Sequence, residues 1–199
     1  MKTARRIKEQ FEKTKNQPVA ALYLGIVVLI IAFFIVLPQF RTARNLSNIL
    51  LRAVPLLAVS AGQTMVLLGA GIDLSVGAVL ALSTAVASVT LDKTIAGGVC
   101  LSLGSGMMIG LLNGLGVTKL KINPFLMTIG TTIITGGVAL YIRPYPGGVI
   151  PREYVKFVLA RMGVFPVIPF VIFVVIVILG LVILRKSRVG RHLDSVGGT

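Results

Sequence analysis

The sequence predicts an all-α, polytopic integral membrane protein with about six transmembrane helices. Of its 199 residues, 55% are hydrophobic, and the mean hydropathy is +0.95. Only 13% of the residues are charged, whereas soluble domains carry about 25%. The apolar residues also gather into runs close to the ~20 residues that a helix needs to cross a bilayer. These three observations place the chain in the membrane class.

The chain begins with a basic arm, residues 1–18, which we expect in the cytoplasm. Ile7 and Phe11 lie four residues apart in this arm, a spacing compatible with an interfacial helix. The first expected span, residues 19–37, is too long for the apolar region of a signal peptide, and no small-residue cleavage site follows it. We therefore expect it to remain as a helix with its N-terminus inside.

A transmembrane domain is expected over residues 19–184. After the first span, residues 41–55 read as a short interfacial helix, with Asn45 as its N-cap, that runs into the second span with a kink near Pro55. The five further spans are expected at residues 54–69, 74–91, 94–117, 124–142 and 164–184.

Polar segments connect these spans. Asp92 and Lys93 form an expected tight turn, residues 119–121 a short basic loop, and residues 143–163 an external loop with a partial helix. Residues 185–199 form a basic tail. The net charge of +14 would suggest a nucleic-acid partner in a soluble chain. Here the basic residues lie at the ends of apolar spans, where they anchor helices and orient the arm, the basic loop and the tail towards the cytoplasm.

The most informative segment is GQTMVLLGAGIDLSVGA at residues 62–78, where glycines surround a single carboxylate, Asp73. A single acid is costly to bury in a segment apolar enough to cross a membrane. Glycines allow a helix to break and restart inside the bilayer. The segment therefore predicts a discontinuous helix near residues 69–77. Asp73 is interpreted as the cap of the restarting helix, with help from Ser75, or as a polar contact beside a solute pathway, and the two roles are compatible.

The residues predicted to line the pathway or the helix break are Gln63, Thr64, Gly71, Asp73, Ser75, Gly77, Asn113, Asn123 and Thr128. Each also has a purely structural interpretation. Gln63, Thr64 and Asn113 could hydrogen-bond a neighbouring helix, and Gly110 and Gly114 could allow close helix packing. Asn123 precedes a proline at a helix start. The hydroxyls of the threonines that follow could bond back to their own helix; these are Thr128, Thr131 and Thr132.

The sequence lacks the usual motifs of an enzyme. It contains no P-loop, no H-E-x-x-H and no G-x-S-x-G, and Cys100 and His192 are each the only residue of their type. We therefore expect no catalytic residue, no cofactor, no metal site and no ATP hydrolysis by this chain. One acid within the spans is few for ion coupling, so energy for uphill transport is expected to come from another subunit.

Three blocks resemble the ribose-type permease subunits of ATP-binding-cassette importers. GIDLSVGA at residues 71–78 looks like the signature of that family, and Gly62 and Thr64 match the part before it. GLLNGLGVTKLKINPF at residues 110–125 and MTIGT at residues 127–131 are similar to its second block. RVGRHLDSVGGT at residues 188–199 resembles its cytoplasmic loop. Branched-chain amino-acid permeases share the wider fold but fit the first string less well.

The resemblance implies an importer of a monosaccharide across the cytoplasmic membrane. Its implied partners are an ATPase subunit, an extracytoplasmic sugar-binding protein, a second permease copy and membrane lipid, with no nucleic acid. The residues expected to flank the ATPase-docking site are Arg188, Gly190, Arg191, Gly197 and Gly198.

Family members continue through several more helices, so we expect this chain to be truncated on its C-terminal side and not to transport by itself. The alternatives are a non-transporting membrane fragment, a permease for a nucleoside or a branched-chain amino acid, and an ion-coupled secondary transporter. The sequence does not favour a membrane-bound enzyme.

Overall fold

The computed structural model describes residues 20–186, and it is almost entirely helical. It also contains a 3-10 helix at Pro38–Arg41 and one short β-hairpin. The strands of the hairpin are β1 at Arg161–Met162 and β2 at Phe165–Pro166. The helices are α1 at Ala20–Val36, α2 at Ala43–Leu68, α3 at Val76–Thr90, α4 at Ile95–Thr118, α5 at Pro124–Ile142, α6 at Arg152–Val158 and α7 at Val167–Lys186. The predicted arm and residues 187–199, with all five expected docking residues, lie outside the described part.

The predicted all-α membrane fold is confirmed. Four of the described helices are long and apolar enough to cross a membrane, namely α2, α4, α5 and α7. The apolar helices α1 and α3 are shorter, so six spans is an approximate number. The predicted break is also observed, because α2 ends at Leu68 and α3 begins at Val76.

The first compact unit extends to Ile49. In this unit, the side chain of Arg41 caps the C-terminus of α1. Its Nε donates to the Phe34 carbonyl at 2.5 Å and its Nη2 to the Ile35 carbonyl at 2.9 Å. The guanidinium also lies 5.3 Å from the centre of the Phe34 ring. Carbonyls at a helix C-terminus lack partners and carry partial negative charge, so a cation stabilises them.

One prediction about the start of α2 was wrong. The expected short helix does run into the second span, as one continuous helix with Pro55 inside it. The first residue of this helix is Ala43, and the hydroxyl of Thr42 accepts the Asn45 N–H at 3.2 Å, so Thr42 is the cap in place of Asn45.

The second compact unit begins at Leu50. Its core is formed by α3, α4 and α5, where Leu82, Ala85 and Ala139 are buried against one another. Early residues of α3 meet early residues of α5 and late residues of α4. The helices α3 and α5 are therefore parallel, and α4 runs antiparallel to both.

Glycines have different roles along α4. A Cβ added at Gly98 would lie 2.8 Å from the Cα of Leu91, so the turn between α3 and α4 requires a glycine there. Open space surrounds the Cβ positions of Gly110 and Gly114. Among the described residues no helix packs against these two glycines, because α4 presents another face to α3 and α5, so their role in close helix packing stays a prediction.

The loop after α5 closes the end of this core. Gly148 has φ of +103° and would clash with Ser88 if it carried a Cβ, and the Val149 N–H donates to the Ser88 carbonyl at 3.3 Å. The partial helix predicted in this loop is α6. The hairpin was not predicted, although Gly163, with φ of +66°, occupies the first central position of its two-residue turn. Because the hairpin includes residues 164–166, the last helix begins at Val167 and not at residue 164 as expected.

Candidate functional site

The chain between α2 and α3 folds back against the last turns of α2. The Ala70 N–H donates to the Leu67 carbonyl and the Gly71 N–H to the Val66 carbonyl, both at 3.0 Å. With φ of +54° at Ala70, this is a Schellman motif built on alanine. A Cβ at Gly71 would lie 3.2 Å from the Val66 side chain. Glycine at position 71 therefore permits the close approach of the returning chain.

Three consecutive carbonyls of this segment receive side-chain hydrogen bonds. Gln63 donates from Nε2 to the Asp73 carbonyl at 2.6 Å. Thr132 donates from Oγ1 to the Leu74 carbonyl at 3.1 Å, and the Thr128 Oγ1 lies 3.4 Å from the Ile72 carbonyl oxygen. Non-helical backbone in a membrane protein must satisfy its polar groups within the protein. The threonines of α5 and the glutamine of α2 do this for the break.

The two threonines also bond within their own helix. Thr128 lies 2.9 Å from the Pro124 carbonyl, and Thr132 lies 2.7 Å from the Thr128 carbonyl. Each hydroxyl has one proton, so each proton is shared between its own helix and the break. These hydroxyls were expected to bond back to their own helix. They do so, and they also bond the carbonyls of the break, which was not expected.

Asp73 organises the start of α3. Its Oδ1 accepts the Ser75 N–H at 2.7 Å and the Ser75 hydroxyl at 2.6 Å. Ser75 already has helical φ and ψ of −79° and −12° and is only 1% exposed. The residue that precedes α3 is Ser75, and its side chain makes no capping bond to the helix. The carboxylate instead closes an Asx turn that leads into the helix and satisfies the Ser75 N–H, so the expected capping role of Asp73 is exerted one step before the helix. Both bonds use Oδ1, which leaves Oδ2 for other donors.

A buried chain of hydrogen bonds then links α3, α4 and α5. Asn113 donates from Nδ2 to the Ser75 hydroxyl oxygen at 2.9 Å, and the Thr131 hydroxyl donates to Asn113 Oδ1 at 2.6 Å. Asn113 is 8% exposed and Thr131 is 9% exposed. Buried polar side chains of this kind, when fully paired, hold helices in one register.

The break lies near one end of α5. Thr128 and Thr132 are the fifth and ninth residues of that helix, so they lie about 6 Å and 12 Å from its start at 1.5 Å per residue. The whole helix is about 28 Å long by the same measure, close to the ~30 Å hydrocarbon core. The Asp73 carboxylate therefore lies in the part of the span closest to the basic loop that holds Lys119 and Lys121.

The structure brings together most, but not all, of the predicted site residues. Six of them lie in or against the break: Gln63, Gly71, Asp73, Ser75, Asn113 and Thr128. Thr64 instead donates to the Ser60 carbonyl of its own helix, open space surrounds Gly77, and Asn123 caps α5 by accepting the Phe125 N–H at 2.9 Å. Sequence reasoning named Thr131 and Thr132 without giving them a site role. Their spacing with Thr128 places all three on one face of an apolar helix, and this was the available signal.

Two buried acceptor atoms in this region have no partner among the described residues. They are Oε1 of Gln63 and Oγ1 of Thr135. The orientation of the Gln63 amide follows from its neighbour, because only Nε2 can donate to the Asp73 carbonyl. Over residues 20–186, no three His, Cys, Asp or Glu side chains lie close enough to hold a metal ion.

Comparison with known proteins places the sequence of this chain in a family. The family described as "Branched-chain amino acid transport system / permease component" matches residues 45–199. The galactofuranose transporter permease protein YtfT of Escherichia coli is 34% identical over 168 residues, which are 82% of this chain and 48% of that protein. The ribose import permease protein RbsC of Bacillus subtilis is 33% identical over 182 residues, 88% of this chain and 56% of that protein.

A third relative, the D-allose transport system permease protein AlsC of Escherichia coli, is 29% identical over 163 residues, 80% of this chain and 50% of that protein. The chain thus spans about half the length of these curated relatives. No solved structure matches it.

Proposed function

The chain belongs to the family of branched-chain amino acid transport system permease components, and from this membership we propose that it forms part of the membrane-spanning subunit of an ATP-binding-cassette importer. We propose a monosaccharide as its solute. The observation that carries this choice is the naming of the relatives. Three proteins that align with at least 80% of this chain are named for galactofuranose, ribose and D-allose.

The break between α2 and α3 is proposed to shape the solute pathway. Gly71 and Asp73 are only partly buried, whereas Ser75, Asn113 and Thr128 are buried and use their polar atoms within the protein. We therefore assign contact with the solute to the Asp73 and Gly71 region and a supporting role to the buried residues. Oδ2 of Asp73 accepts no hydrogen bond from the part of the chain that the structure describes, and a carboxylate oxygen suits a solute rich in hydroxyl donors.

The energy source is proposed to lie on a separate ATPase subunit. The sequence has no P-loop, and Asp73 is the only acid within the expected spans, which argues against a relay for ion coupling. An extracytoplasmic binding protein and a second permease copy complete the proposed assembly. The relatives are named as permeases or transporter components, which supports a role in transport and not in catalysis.

The chain is a multi-pass membrane protein by its family and its apolar helices. We propose the cytoplasmic membrane as its location, with the N-terminus inside, because the basic arm, the Lys119 and Lys121 loop and the basic tail then share one side. This orientation places the break near the cytoplasmic surface, where an inward-facing state would release its solute.

Assembly and stimulated ATP hydrolysis test the proposal. The reading frame that encodes this chain would be co-expressed with a neighbouring ATPase and binding protein, and ATP hydrolysis measured in nanodiscs. We expect a stable complex whose hydrolysis rises when the binding protein carries ribose, galactofuranose or allose. Stimulation by leucine but by no sugar would favour the second candidate, a branched-chain amino acid permease, which the family description supports. No complex with any ATPase would contradict both.

A further inference from the structure

Asn113 uses both ends of its side-chain amide within the protein. Oδ1 accepts from Thr131 and Nδ2 donates to Ser75, while the residue is only 8% exposed. The sequence had suggested Asn113 as a residue of the pathway itself. Because its amide oxygen and nitrogen both bond neighbouring helices and little of the residue is exposed, Asn113 is better suited to hold those helices than to contact a solute.

In this series of hydrogen bonds, each donor points towards Asp73: Thr131 donates to Asn113, Asn113 to Ser75, and Ser75 to Asp73. Asn113 Nδ2 is a donor, so the Ser75 hydroxyl must accept from it and can give its own proton only elsewhere. That proton goes to Asp73 Oδ1 at 2.6 Å. At the other end, the Thr131 hydroxyl lies 2.6 Å from Oδ1 of Asn113 and 2.9 Å from the Met127 carbonyl of its own helix, so its single proton is shared between the two. The shorter bond, to Oδ1, keeps the amide oxygen turned away from Ser75.

The Thr131 hydroxyl therefore determines how Asp73 is hydrogen-bonded three groups away. Without that donor, Oδ1 of Asn113 would be buried and unpaired, which is costly. The Asn113 side chain would then no longer be held in one orientation, and its bond to Ser75 and the Ser75 bond to Asp73 Oδ1 would weaken together.

We propose that Asn113 is a positioning residue, held by Thr131, that fixes the Ser75 proton on Asp73 Oδ1 and so leaves Oδ2 as the one carboxylate oxygen directed to a solute. This inference rests on the proposed role of the break in the pathway. It assigns solute contact to Asp73 and excludes Asn113 from contact.

The test compares the same substitution at two positions of one helix. Thr131→Val removes the hydroxyl that belongs to the chain of hydrogen bonds. Thr135→Val removes a hydroxyl one turn further along α5 that is 1% exposed and has no partner among the described residues. Thr131→Ser restores the donor. The purified chain in nanodiscs would be examined by infrared spectroscopy of ¹³C-labelled aspartate, with Asp73→Asn identifying the Asp73 band, and by hydrogen exchange at the Ser75 amide.

We expect Thr131→Val to shift the carboxylate band of Asp73, because the Ser75 hydroxyl is then no longer held on Oδ1. Exchange of the Ser75 amide should stay close to the wild-type rate, because its own bond to Asp73 Oδ1 is retained, and this shows that the start of α3 is still folded. Thr135→Val and Thr131→Ser should leave both signals at the wild-type values. Equal effects of the two valine variants, or no effect of Thr131→Val in a folded protein, would overturn the proposal.

A second variant covers the case in which Thr131→Val does not fold. Ser75→Ala removes the last donor before the carboxylate, so it should shift the Asp73 band by itself. An unshifted band in folded Ser75→Ala protein would refute the chain of hydrogen bonds. These measurements need no ATPase and no solute, so a failure of the proposed transport function would leave their outcome unchanged.

Discussion

The side chain of Gln63 donates a 2.6 Å hydrogen bond to the backbone carbonyl of Asp73, ten residues further along the chain. Gln63 lies within α2, and Asp73 lies in the break that follows it. The bond holds the returning chain against the last turns of α2. Together with the threonines of α5, it allows irregular backbone to persist where the surroundings are apolar.

Substitutions of Gln63 should measure the value of this bond. Gln63→Met keeps the size of the side chain but removes the donor, and we expect it to lower the free energy of unfolding by about 1–3 kcal/mol. Gln63→Glu should cost more, because a carboxylate oxygen would face the Asp73 carbonyl. Thermal unfolding in detergent provides the measurement.

Thr64→Val is the control. Thr64 is the next residue in sequence but bonds its own helix, so this variant should change stability by less than about 0.5 kcal/mol. Equal losses in all three variants would contradict this account.

The two hydrogen bonds that Asp73 Oδ1 accepts from Ser75 predict an asymmetry between two substitutions. Asp73→Asn retains an oxygen that can accept from Ser75, and asparagine forms Asx turns as aspartate does, so the variant should stay within about 0.5 kcal/mol of wild type. Asp73→Ala removes the acceptor and should cost about 1–2 kcal/mol.

Unfolding in denaturant would separate the two variants. Asp92→Asn, in the exposed turn after α3, is the matched control. An asparagine variant as unstable as the alanine variant would show that the charge, and not the hydrogen bonds to Ser75, stabilises the break.

The turn between α3 and α4 should reject any side chain at position 98. The Cβ of Gly98→Ala would meet the backbone Cα of Leu91 at 2.8 Å, so the helices must separate, at a cost of about 1–3 kcal/mol. Gly104→Ala lies in the same helix and faces open space. It should be neutral or stabilising by up to about 1 kcal/mol, because alanine favours helix over glycine. Melting temperatures of the two variants would test this, and a neutral Gly98→Ala would mean that the turn is wider than observed.

The buried hydroxyl of Thr135 should reduce stability. It is 1% exposed and its Oγ1 has no partner among the described residues, and an unpaired buried hydroxyl is unfavourable. Thr135→Val keeps the shape and removes the polar atom, so we expect the free energy of unfolding to rise by about 1 kcal/mol. A clear loss of stability in the melting curve would instead indicate that the hydroxyl has a partner such as a buried water.

Local sequence patterns predicted the helices and the break, but not the contacts across the break. Apolar runs located the spans because a helix that crosses a bilayer must be apolar over its whole length. The glycines and the lone acid predicted a break near residues 69–77, and the structure has it at residues 69–75. The partners of Ile72 and Leu74 come from α5, more than fifty residues away, and no local periodicity encodes which threonine turns towards which carbonyl.

The same limit holds for the cap of α2 and for the glycines of α4. Asn45 has the residue type of a helix cap, although α2 begins two residues earlier and Thr42 caps it. Gly110 and Gly114 have the spacing of a packing motif, yet neither faces α3 or α5. Spacing along a helix gives a face, but only the tertiary structure says what that face meets.

Uptake measurements test the central claim most directly. Proteoliposomes would contain the reading frame that encodes this chain together with its neighbouring ATPase and binding protein. We predict that labelled ribose, galactofuranose or allose accumulates only when ATP is inside with the ATPase. Sugar uptake that persists with an inactive ATPase, driven by a proton or sodium gradient, would contradict the account.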